Sequence, residues 1–77
     1  NPFNPVTTIG FRIAAFGFVS LEIFDIAGRE VATLVEKSLA AGEYRVQWDA
    51  AGQASGMYMV RLQAGDFTST QKIMLIR

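Results

Sequence analysis

The chain of 77 residues contains neither cysteine nor histidine. Without cysteine there is no disulfide to staple the fold and no thiol to serve as a nucleophile. Without either residue the usual general bases and transition-metal ligands are missing. A surplus of charge is missing too, because seven Lys and Arg offset seven Asp and Glu. Holding a phosphate backbone takes a basic surplus on one face, so nucleic acid is excluded as a main partner. No apolar run approaches the roughly 20 residues of a membrane-spanning helix. Asp25, Asp49 and Asp66 lie too far apart in sequence for a calcium loop of alternating carboxylates. Paired carboxylates for sugar hydrolysis need a cleft that so small a chain has little room to form. The expectation is no enzyme, and no catalytic, cofactor or metal residue. The first residues are Asn1-Pro2, with neither an initiating Met nor a leader pattern. That suggests a piece of a longer protein, with any secretion signal upstream.

What is present is apolar and alternating. The apolar fraction is 51%, including one Trp, two Tyr and six Phe, which is enough for a single compact core. A domain of this size buries only about 60% of its unfolded surface, so packing quality decides its stability. Tyr58, Val60 and Leu62 alternate with Met59, Arg61 and Gln63, the period of a strand with one buried face. Ala64-Gly65-Asp66 supplies a tight turn, and a returning strand runs through Lys72 into Ile73-Met74-Leu75-Ile76.

The remaining segments follow the same logic. Asn1-Pro2-Phe3-Asn4-Pro5 disfavours helix and reads as an entry segment, with Phe3 a plug for the sandwich edge. Ile9, Phe11 and Ile13 share one face of a first strand over residues 7–14, and Val19, Leu21 and Ile23 one face of a second over 19–25. Asp25-Ile26-Ala27-Gly28-Arg29 reads as a hairpin turn. Val31, Leu34, Val35 and Leu39 stand at helical spacing. The preceding turn and the β-branched Val31, Thr33 and Val35 favour a strand over 30–35 instead. A strand over 43–49 turns Tyr44, Val46 and Trp48 inward, with Trp48 at the centre of the core. The small, polar residues 50–56 form a loop between sheets. The sum is an all-β antiparallel sandwich of six or seven strands. Residues 1–6 serve as its entry and 7–77 form the one domain.

Two features admit a second reading. Tyr44 and Trp48 on one strand face would suit sugar stacking if that face were open, whereas Val46 between them marks it as core. Phe24 shares its face with Ser20 and Glu22 and is therefore expected to be exposed. The apolar run at 73–76 has apolar side chains on both faces, and one of those faces must meet a partner.

Several segments together resemble a known family. They are Asn1-Pro2-Phe3-Asn4-Pro5, Thr7-Thr8-Ile9, Ala27-Gly28-Arg29-Glu30-Val31, Ala41-Gly42-Glu43-Tyr44, Val46-Gln47-Trp48-Asp49, Ser55-Gly56-Met57-Tyr58 and Ala64-Gly65-Asp66 through Lys72. In this order they are similar to the type A sorting domain of the type IX secretion system. A close relative with a similar pattern is the immunoglobulin-like domain of flagellar hook-capping proteins. The first resemblance implies a small Ig-like or fibronectin-III-like sandwich at the C-terminus of proteins that Bacteroidetes export across the outer membrane. It implies recognition by the secretion translocon, an upstream cargo domain and a sortase-like peptidase acting near or before Asn1. It implies passage through the periplasm to the cell surface, and no cofactor. The motif residues carried over are Gly56, Tyr58, Gly65, Lys72, Ile73 and Leu75, with self-association possible through the terminal strand. The alternative is an Ig-like spacer of the hook-cap kind, or less readily a sugar-binding module.

Overall fold

The computed structural model describes residues 6–76. The entry segment with Phe3, and Arg77, lie outside the described residues. Six antiparallel strands form two sheets: β1 (Val6–Ile13), β2 (Gly17–Phe24), β3 (Glu30–Leu39), β4 (Gly42–Asp49), β5 (Gly56–Ala64) and β6 (Phe67–Leu75). A four-stranded sheet has the order β3-β2-β5-β6, and a two-stranded sheet pairs β1 with β4. This is the expected sandwich, with strands longer than expected at most ends.

Two tight hairpins and three crossings build it. The β2–β3 turn is organised by Asp25, whose Oδ1 accepts the N–H groups of Ala27 and Arg29, each at 2.9 Å. Gly28 closes this turn at φ +86°, donating its N–H to the Asp25 carbonyl at 2.9 Å. The β5–β6 turn has two central residues, Gly65 and Asp66, between the paired Ala64 and Phe67. Gly65 at φ +60° with no positive φ at Asp66 is the II′ pattern, whose twist matches the flanking strands. The other connections cross from sheet to sheet. Among them are residues 50–55, as the loop reading expected.

β3 resolves the ambiguous segment as a strand of ten residues. Its helix-like spacing has a physical origin. The β2–β3 register shifts twice, between Leu21 and Glu22 and between Ile23 and Phe24. Leu21 stands opposite Val35 and Ile23 opposite Ala32, so Val31 and Leu34 are the extra residues of two bulges. Each bulge moves the apolar pattern by one position. Two such shifts turn a period of two into spacings of three and four.

The core lies between the sheets. Val19, Leu21 and Ile23 are fully buried, joined by Ile9, Ile13, Val35, Trp48, Tyr58, Val60, Leu62 and Leu75. Trp48 is 3% exposed, so the strand face it shares with Tyr44 is core and offers no open stacking platform. Val46 departs from expectation. It packs on the core but is only half-buried, because β4 is an edge strand of the narrower sheet.

Candidate recognition face

The β5–β6 ladder gathers most of the motif residues at one end. Gly56 stands opposite Leu75, Tyr58 opposite Ile73, and Met59 opposite Lys72. Gly65 sits at the other end, nine positions along β5, or roughly 30 Å at strand rise. Five of the six candidates are therefore neighbours, and Gly65 is the distant hairpin turn.

Within that group the side chains divide by face. Tyr58 and Leu75 are buried and Ile73 is half-buried against the core. Gly56 opens β5 at φ +150°, a backbone angle that residues with a Cβ rarely adopt. The Tyr58 hydroxyl donates to the Ala54 carbonyl at 2.6 Å, four residues back, and so fixes the chain where it enters β5. The same device recurs at the start of β4. There Gly42 has φ +152° and the Tyr44 hydroxyl donates to the Ala40 carbonyl. Both Gly-x-Tyr units follow sheet-to-sheet crossings, so each tyrosine pins a corner of the sandwich as in Ig-like domains.

Lys72 points the other way and is exposed. Its neighbours on the outer face were not legible as a group in the sequence. Met59 faces Lys72 across the ladder and Phe24 stands opposite Met59 on β2, while Met57 faces Met74 one pair further on. All three methionines of the chain thus share one end of one sheet face with Lys72. The signal was there in the alternation of Met57, Met59 and Met74 with the buried residues. The register that brings them together came only from pairing. Met74 is 59% exposed and Ile76 83%, so the second apolar face of the terminal segment is uncovered.

Phe24 is not the open ring expected from Ser20 and Glu22. It is half-buried because Arg61 lies over it, guanidinium carbon 4.6 Å from the ring centroid. Arg61 in turn bonds Glu22 at 2.9 Å. That cation is committed to its own sheet. Lys72 has no ion-pair partner among the described residues, leaving its ammonium available beside flexible, polarisable side chains. Among the described residues no three His, Cys, Asp or Glu gather into a metal-binding group, and no helix is long and apolar enough to cross a membrane.

Compared with known families, residues 1–76 match the family described as Secretion system C-terminal sorting domain. The chain belongs to that family. It is a sorting domain of type IX secretion, which directs an attached upstream cargo to the cell surface or outside of a Gram-negative bacterium. No curated protein and no solved structure was found to match it.

Proposed function

We propose that this sorting domain separates folding from recognition by face. The inward residues Gly56, Tyr58, Ile73 and Leu75 hold the β5–β6 end in shape. Lys72, with Met57, Met59 and Met74 around it, is what a component of the secretion translocon reads. The observation that carries this reading is the convergence of an unpaired cation and every methionine on one sheet end. A single ordered charge sets orientation by electrostatic complementarity, and methionines adapt their shape to a partner surface. The cargo crosses the periplasm first, and a sortase-like peptidase acts at or before Asn1 once export is complete. The uncovered Met74 and Ile76 also give two copies a surface on which to associate.

The test is a fusion of residues 1–77 to the C-terminus of a periplasmically exported reporter in a host with the type IX machinery. The reporter should reach the cell surface. Substituting Met57 and Met74 together with Ser should lower delivery while the domain stays folded. Retention of the intact fusion in the periplasm contradicts the reading.

A further inference from the structure

The four-stranded sheet is wider than the two-stranded sheet that covers it, and the mismatch leaves a slot. Its wall is the free side of β1 at Ile9, Phe11 and Arg12. Its floor is the inner face of β5 and β6 at Leu62, Phe67 and Gln71. The slot runs into a groove of about 460 Å³ at the end of the sandwich, and Arg12 and Phe67 border both. Three rings left open to solvent line that groove: Phe16 at 74% exposure, and Phe18 and Phe67 at 57% each.

The wall has a definite hydrogen-bonding character. In an antiparallel pair, alternate residues turn their N–H and C=O away from the partner strand. Among the described residues β4 is the one ladder partner of β1, so those groups face the slot over residues 8–12. Other edges carry features that discourage strand addition. β3 has two bulges and exposed Glu30, Glu36 and Lys37, and β4 exposes Glu43, Arg45 and Asp49. β1 runs in unbroken register, and its one charged residue, Arg12, is engaged by Glu43 at 3.5 Å.

We propose that this slot accepts a strand: an extended segment of a separate polypeptide that pairs with β1. Its alternate apolar side chains meet Leu62 and Phe67, and a large apolar residue at one end enters the groove between Phe16, Phe18 and Phe67. Main-chain pairing supplies affinity and the pockets supply specificity. Five paired residues cover about 17 Å of edge. The occupant is a lone strand and not a second copy of this chain. β6 extends beneath the slot, so a second sandwich presenting its own β1 edge would drive its wide sheet into β6. The slot opens on the inner side of the sheet whose outer face carries Lys72, so the inference is independent of the recognition reading.

The test uses isotope-labelled residues 1–77 and a terminally blocked decapeptide of alternating Val and Thr that ends in Phe, followed by amide NMR. Saturable shifts at residues 8–12, 16–18 and 67–71, with slowed exchange at alternate β1 amides, are expected. Placing Pro at the centre of the peptide removes a ladder donor and should weaken binding at least about tenfold. Phe16→Ser should weaken it similarly while leaving the melting temperature unchanged, since that ring is exposed. No shift at about 1 mM peptide, the affinity of a marginal contact, overturns the proposal. Shifts gathered along β3, β4 or β6 overturn it too, as does equal binding of the Pro peptide. A concentration-dependent dimer that protects the β1 amides without peptide makes a second copy the occupant and also overturns it.

Discussion

Trp48 and Tyr58 meet edge to face, ring centroids 5.2 Å apart and planes at 66°, one from each sheet. The pair ties the narrow sheet to the wide one. The Tyr58 hydroxyl extends the tie to the loop at Ala54, so one contact fixes both a sheet crossing and the start of the motif strand. Trp48→Ala should cost about 3–5 kcal/mol, the range for removing a large core aromatic. In a domain with total stability near 5 kcal/mol that unfolds most molecules. Tyr58→Phe keeps the ring and loses one hydrogen bond, so about 1 kcal/mol is expected. Thermal and urea unfolding followed by Trp48 fluorescence checks both.

The Gly56 prediction isolates backbone strain. A Cβ added there meets nothing within 4 Å, and the cost of Gly56→Ala lies wholly in φ +150°. About 1 kcal/mol or more of lost stability is expected. Gly17→Ala is the control, for it too has open space and no positive φ. It should fall within about 0.5 kcal/mol of the parent. Equal unfolding midpoints for the two variants would contradict the strain argument.

Asp25 gives the pH dependence. The Arg29 backbone N–H, above all, holds its carboxyl below the ordinary value of 3.8; the Arg29 side chain and the Ala27 N–H add to this, against a smaller opposing effect of desolvation. A depressed native pKa means stability that is whole above the ordinary value and is lost as pH falls through the lower native one. Asp25→Asn should therefore weaken the domain near neutral pH and flatten the acid arm of its stability profile. Urea midpoints measured from pH 7 down to pH 2 test this, and parallel profiles for parent and variant would count against it.

Arg61 and Glu22 make a cross-strand pair that also roofs Phe24. Arg61→Ala should cost about 1 kcal/mol and open the ring to solvent. Arg61→Lys should recover little of this, because an ammonium lacks the planar stack over the ring. Urea unfolding of the two variants, with binding of an apolar dye as a probe of the ring, distinguishes them.

Strand positions were legible wherever one face is buried without interruption. β1, β2, β4 and β5 show their inner residues by simple alternation. β3 was ambiguous because two bulges scramble its parity, and bulges are a property of pairing that leaves no local signature at Val31 or Leu34. Val46 was misjudged for a related reason, since sheet width is set by topology and not by any one strand. Lys72 could be placed outward from its alternation with Ile73. Its methionine neighbours emerged only from the β5–β6 register, and Phe24 was hidden by an arginine whose side chain crosses from β5. The aromatic groove joins residues about fifty positions apart, beyond the reach of any sequence window.

The central claim is that neighbouring residues of β6 serve different ends, Ile73 the fold and Lys72 its recognition. Its most direct test measures surface delivery and melting temperature together for Lys72→Ala and Ile73→Ala in the reporter fusion. Lys72→Ala should hold stability within about 0.5 kcal/mol of the parent, as exposed substitutions do, while delivery falls. Ile73→Ala should lower the melting temperature, with delivery declining only as far as the folded fraction does. Delivery of the Lys72→Ala fusion at the parent level would contradict the account.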